Sequence, residues 1–287
     1  METIKQTPRV TTDDVVAQLE QGITNLTSSE AWAEHLRVQA RFHNYSFGNA
    51  LLIHRQCEHA TRVAGFHSWK ALGRSVRKGE KAIRILAPIT VRNRDENNTT
   101  DEPDGTRFLV GFKAAAVFDI SQTDGKDLPE APCSPLTGDT DEAIWSALVA
   151  LASEGGFEVK TVGENALGKA NGDCSGLLKR IRVRDDLSGA QRVKTLAHEI
   201  AHSKLHVSMG TPSIEREVAE LEAESVAFVV CAALGIDSSS YSFGYVAGWS
   251  GGGDEAVSRI RACGSRIQQT AKAILDGLNT VRVEVAA

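Results

Sequence analysis

Residues 195–206 read TLAHEIAHSKLH. His198 and His202 stand four apart, with Glu199 beside the first. On an α-helix, residues i and i+4 lie one above the other on one face, so both imidazoles can meet a single metal ion. Glu199 falls one position round, where a general base for a metal-activated water belongs. Val193, Leu196, Ala197, Ile200 and Ala201 form an opposite apolar face that can bury the helix. The spacing therefore predicts a helix carrying a catalytic zinc site, in which zinc lowers the pKa of its water toward roughly 7. A polar stripe on an ordinary helix is the alternative.

Catalytic zinc usually takes three protein ligands. His206 continues the four-residue spacing, but an i to i+8 step rises about 12 Å along a straight helix, too far to converge on one ion. The metzincin pattern HExxHxxGxxH is not met, because Leu205 replaces its glycine and Ser208 its histidine. The remaining source is the acidic run EREVAELEAESVAF, where Glu217, Glu220 and Glu224 share a helical face with Ala223 and Ala227. Carboxylates on a partly apolar face are costly unless paired or liganding. Glu220 is the expected third ligand and Glu224 the expected hydrogen-bond partner of a ligand histidine, with Glu224 as ligand the second choice. For the oxyanion, YSFGYVAGW offers Tyr245 or Tyr241.

The front of the chain has a different character. Residues 31–90 hold ten Lys/Arg against three Asp/Glu, a local +7 that leaves −12 for the rest of a chain of net −5. Such asymmetry suggests a polyanion-binding module joined to something else. Cations interleaved with aromatics suit single-stranded DNA, where basic groups follow phosphates and rings stack on unpaired bases. The expected contact residues are Arg41, Tyr45, Trp69, Lys70, Arg74, Arg77, Lys78 and Lys81. The turn SVRKGEK carries three of these cations.

Helical periodicity marks TTDDVVAQLEQGI, SSEAWAEHLRVQARF, SFGNALLIHRQC, HSWKALG, DEAIWSALVALASEGG, SGAQRVKTLAHEIAHSKLH, SIEREVAELEAESVAFVVCAALG and DEAVSRIRACGSRIQQTAKAILDGL. KAIRILAPITV, RFLVGFKAAAVFDI, FEVKTV and KRIRVRDDL read as strands. RNRDENNTTDEPDG reads as a hairpin loop. An α+β fold follows. Residues 1–125 are expected to form a DNA-binding domain of helices on a small antiparallel sheet. Residues 126–140, rich in proline and glycine, are the expected linker, and residues 141–287 a metallopeptidase domain.

Hydrophobic residues make up 41% and charged residues 24% of the 287, which suits a globular protein. No apolar run nears the roughly 18–20 residues that span a bilayer, so no membrane partner is expected. The five cysteines are scattered and form no CxxC pair, which argues against a disulfide framework or a cysteine zinc site. METIKQTPRV holds no apolar signal core, and a cytoplasmic location is expected.

The chain resembles the ArdC-type antirestriction proteins over most of its length. FHNYSFGNALLI, GFHSWKALGRSVRKGEKAIRILAP and VFDISQTDG look like that family's N-terminal single-stranded-DNA-binding domain. HEIAH with AELEAESVAFVVCAALGI and YVAGW is similar to its C-terminal zincin-like metallopeptidase domain, related to gluzincins and ImmA/IrrE peptidases. The resemblance implies a zinc-dependent peptidase of a plasmid, phage or other mobile element that protects incoming DNA from host restriction. It also implies a ligand glutamate followed four residues later by a carboxylate, which fits Glu220 and Glu224. A host restriction or regulatory protein would be the peptidase substrate. The alternatives are a DNA-binding shield with a non-catalytic zinc site and a repressor-cleaving peptidase of ImmA type.

Overall fold

The computed structural model describes residues 10–92, 107–128, 141–207, 215–236, 243 and 253–286. These fall into two compact units, residues Met1–Gly22 with Leu52–Leu128 and residues Ile23–Leu51 with Pro129–Ala287. The chain is α+β with small sheets. Residues 23–51, which the sequence reading placed in the front domain, cluster with the C-terminal half. The expected hairpin loop, and the expected linker from residue 129 onward, lie outside the described residues.

The first unit holds most of α1 (Thr12–Thr24), the end of α3 (Phe47–Gln56), β1 (Val63–Ala64), α4 (Phe66–Ala71), β2 (Arg74–Val76), β3 (Ile83–Arg92), β4 (Arg107–Asp119) and β5 (Thr123–Gly125). Strands β1, β4 and β3 form one antiparallel sheet, and β2 pairs antiparallel with β5. The two long strands were legible as apolar runs. The short β1, β2 and β5 were not, because two or three residues carry no periodicity.

Asp119 joins the ends of these strands. It is buried, and its Oδ1 accepts the backbone N–H groups of Thr61 (2.8 Å) and Arg62 (3.0 Å). Its Oδ2 accepts from Ser121 N (2.9 Å), while Gln122 closes a capping box on Asp119 N. Burial alone would raise the carboxyl, but these hydrogen bonds hold it below its ordinary range.

The second unit holds α2 (Ser29–Arg41), the start of α3, α5 (Asp141–Glu154), β6 (Glu158–Val162), β7 (Gly172–Ser175), β8 (Arg180–Arg184), α6 (Gly189–His202), α7 (Arg216–Ala233) and α8 (Gly253–Ala286). Its sheet has the order β6-β8-β7, with β6 parallel and β7 antiparallel to β8. Ser28 caps α2 and Ser188 caps α6. Helix α2 is tied to α7 by the buried Trp32 indole, which donates to Ser225 Oγ at 2.9 Å. On α6, Val193, Leu196, Ala197, Ile200 and Ala201 are all at most 1% exposed, so the apolar face anchors the helix as its pattern requires. The expected helix through residue 206 changes character after His202, and Ser203–Val207 form a π-turn.

Replacing Asp119 by Ala removes the carboxylate that accepts from three backbone N–H groups at a buried position. The expected loss is about 2–3 kcal/mol, since bonds to a charged acceptor are each worth roughly 1.5–3 kcal/mol and do not add fully. The urea midpoint of the transition reporting on the front unit checks this, and Asp119→Asn should fall between the two.

Candidate metal centre

With its apolar face buried, α6 turns Gln191, Thr195, His198, Glu199 and His202 toward a cleft of about 840 Å³. His198 Nε2 and His202 Nε2 are 3.0 Å apart, with the rings nearly edge-on. The acidic helix α7 supplies the third group. Glu220 Oε2 lies 3.5 Å from His198 Nε2 and 3.6 Å from His202 Nε2, and one donor atom from each residue falls within 4.8 Å of the others. Two imidazole nitrogens and one carboxylate oxygen match the donor set of a zinc site that keeps a position open. Glu224, one turn beyond Glu220, sits 3.1 Å from His198 Nδ1, so that nitrogen's N–H donates to it. His198 Nε2 is then the nitrogen facing the cluster.

The charges are strongly coupled. Burial pushes the His198 imidazolium down, but hydrogen bonds to Glu220 and Glu224 and the nearby Glu199 outweigh it and lift its pKa to about 9. Hydrogen bonds from the two histidines hold Glu220 well below the usual carboxylate range. Burial holds His202 below its ordinary value. Glu199 is buried among these groups, and burial, with help from Asp173 and Glu220 and against the pull of His198, raises it to about 7. A carboxyl poised near neutrality can both take and return a proton.

Strand β7 forms the opposite wall, contributing Gly172, Asp173 and Cys174. A Cβ at Gly172 would lie 2.7 Å from Thr195 Cγ2 and 2.9 Å from Glu199 Oε1, so glycine is what lets this strand approach the Glu199 carboxyl. Burial, with Glu199 and Asp173, pushes the Cys174 thiol up to about 12, which makes it neutral and a poor nucleophile. Sequence reasoning missed this wall because Gly-Asp-Cys-Ser has no strand propensity. It also missed Arg216, which lines the cleft one turn before Glu220. Tyr241 and Tyr245, the expected oxyanion helpers, lie outside the described residues.

His206 is not in the ligand cluster, in keeping with the reach argument. Its Nδ1 lies 3.0 Å from His202 Nδ1, and its Nε2 lies 3.2 Å from Oε2 of the fully buried Glu222.

Residues 5–118 match the model of the N-terminal domain of anti-restriction factor ArdC. That span of the chain is thus similar to the front domain of ArdC-type antirestriction proteins. An uncharacterized protein of Bacillus anthracis is 28% identical over 287 aligned residues, covering 88% of this chain and 48% of its own length. The chain thus spans about half the length of the curated relative it matches. Two crystal structures of the antirestriction ArdC protein from R388 plasmid also match, each covering 80% of this chain at a TM-score of 0.48. The metal-free one is 22% identical and covered over 84% of its length, and the Mn(II)-bound one is 21% identical and covered over 82%.

Within the matched span, the basic and aromatic residues meet different fates. Trp69 is fully buried and its indole N–H donates to Phe118 O at 2.9 Å, so the expectation that its ring stacks on a base is corrected: packing holds it inside. The exposed aromatic rings of this unit are instead Phe66, Phe108 and Phe112, each 52% exposed. Arg74 is spent on structure, donating to Thr123 Oγ1 (2.8 Å) and Thr123 O (3.0 Å) across the β2–β5 pair. Arg77 is exposed but engaged by Glu80 (2.9 Å) and Asp124 (3.3 Å). Lys70, Lys78 and Lys81 are exposed. Arg41 and Tyr45 lie inside the matched span yet belong to the second compact unit, Arg41 exposed and Tyr45 half-buried.

A divalent ion entering the cluster at pH 7 meets an ionised Glu220, a neutral His202 and a protonated His198. It must displace the His198 proton, so apparent affinity should rise with pH and level off above about 9. Calorimetric titration with zinc in buffers of different ionisation enthalpy should show more than one proton released per ion at pH 7, one from His198 and part of one from Glu199, vanishing above that plateau.

Proposed function

We propose that this chain is an ArdC-type antirestriction protein that binds single-stranded DNA through its front domain and hydrolyses a peptide bond at the cleft between α6 and α7, with a zinc ion held by His198, His202 and Glu220. The observation that carries the hydrolytic reading is the convergence of those three donors beside a buried Glu199 whose pKa is lifted to about 7. When bound there, zinc supplies Lewis acidity, polarising the scissile carbonyl and making a coordinated water easier to deprotonate. Glu199 takes that proton and delivers it to the departing amine. The positive charge of the ion favours the ionised, proton-accepting form of Glu199. Glu224 keeps the His198 ring oriented.

The DNA reading rests on the +7 segment and on its exposed groups. Phe66 and Lys70, both exposed, stand one turn apart on α4, and the turn carries Lys78 and Lys81. Holding the chain on DNA raises the effective concentration of the peptidase near proteins on the same strand, which gives the cleft a choice of target. A host restriction or regulatory protein met on incoming DNA is the substrate this arrangement favours. Among the described residues no helix is long and apolar enough to cross a membrane.

Glu199→Gln removes the base and leaves all three proposed metal ligands. Cleavage of a mixed quenched-fluorescence peptide pool, and self-cleavage, should fall about 10²–10⁴-fold in this variant while zinc content holds. In the wild type, a single-stranded oligonucleotide should stimulate self-cleavage. Equal cleavage by both proteins contradicts the peptidase reading, and full protection of DNA from restriction by Glu199→Gln selects the shield.

Lys78→Glu with Lys81→Glu should weaken single-strand binding and reduce the steepness of log affinity against log salt by about 1.4, at roughly 0.7 per lost phosphate contact. Titrations of a fluorescent oligonucleotide from low to moderate salt check this, with zinc content unchanged.

A further inference from the structure

Behind His202 runs a chain of polar groups that the metal reading does not use. Arg266 on α8 donates from both Nε (2.7 Å) and Nη2 to Glu222 Oε1. Glu222 is 0% exposed, and its other oxygen faces His206 Nε2 at 3.2 Å. His206 Nδ1 in turn faces His202 Nδ1 at 3.0 Å. The π-turn Ser203–Val207 carries His206, and π-turns of this kind recur at functional sites.

For neutral imidazoles at His202 and His206, donor and acceptor rules fix the direction of every link. A guanidinium can only donate, so Glu222 Oε1 accepts twice. Glu222 Oε2 faces a ring nitrogen and accepts as well, so the proton of His206 sits on Nε2. Arg266 balances the Glu222 charge, and the carboxylate takes one hydrogen bond from His206. His206 Nδ1 is then a lone pair, and the link at 3.0 Å requires His202 to carry its proton on Nδ1. That leaves His202 Nε2 with its lone pair aimed at the cluster, 3.0 Å from His198 Nε2 and 3.6 Å from Glu220 Oε2.

We infer that His206, held by Glu222 and Arg266, is a positioning residue that fixes the tautomer of His202 so that its Nε2 is the metal-facing donor. The inference deepens the zinc reading and rests on it for its purpose, although the tautomer itself belongs to the metal-free chain. The relay does for His202 what Glu224 does for His198, with a histidine placed between ligand and carboxylate. A direct carboxylate would bring a full charge to the ring, whereas the relay brings an oriented acceptor whose charge Arg266 has already cancelled.

The test is the long-range ¹H–¹⁵N spectrum of the histidine side chains in metal-free protein, with the His202 signals assigned by their loss in His202→Ala. Wild type should show His202 protonated on Nδ1. His206→Ala should shift it toward the Nε2-protonated form that free imidazole side chains favour in water. In His206→Gln the carboxamide oxygen can accept from His202 while its nitrogen donates to Glu222, so the Nδ1-protonated form should persist. Zinc affinity by chelator competition should fall about 10–100-fold in His206→Ala and stay within about threefold of wild type in His206→Gln. An Nε2-protonated His202 in wild type overturns the inference whatever the metal affinity, as does an unchanged tautomer in His206→Ala. A wild type with the Nδ1-protonated form that binds no zinc sinks the zinc reading and leaves the relay standing. Should His206→Ala fail to fold, the wild-type and His206→Gln spectra still decide the tautomer.

Discussion

The anchoring of α6 by its apolar face is the constraint on which the site depends. Five side chains at most 1% exposed leave the helix no freedom to roll, so the opposite stripe must face the cleft. The four-residue step then places two imidazoles within 3.0 Å of each other, an arrangement that costs free energy unless a cation or a shared proton lies between them. The protonated His198 and the strongly acidic Glu220 are the metal-free answer to that cost. A divalent ion shared by the three donors would be the other answer.

Much of this was legible in the sequence, because helical spacing is local information. His198, Glu199 and His202 follow from the motif, and Glu220 with Glu224 follow from carboxylates four apart beside small residues. The structure brings those five groups together. What escaped was built from separation. Glu222 lies two positions from Glu220, and a sequence cannot say that one points to the cleft while the other is sealed inside. Its partner Arg266 stands forty-four residues on, and their bond exists only after α8 has packed. Strand β7 was invisible for a different reason: four small residues adopt it because β8 offers a pairing edge, against their own propensity.

The front domain teaches the complementary lesson. Charge content was readable, but the fate of each charge was not. Arg74 and Arg77, which looked like a free cationic turn, are employed in holding β2, β5 and the adjoining turn together, while Lys78 and Lys81 remain exposed. Trp69 belongs to the core because its indole N–H finds a backbone carbonyl there. Aromatic content likewise located the domain's character without naming its surface rings, since exposure is decided by which strand face is covered.

The central claim is that His198, His202 and Glu220 hold one zinc ion. Elemental analysis of purified wild type and of Glu220→Ala, Glu224→Gln and His202→Ala tests it most directly. The account predicts one zinc per chain in wild type, retention in Glu224→Gln, and loss in the two variants that remove a donor. Equal zinc in wild type and in Glu220→Ala would contradict it.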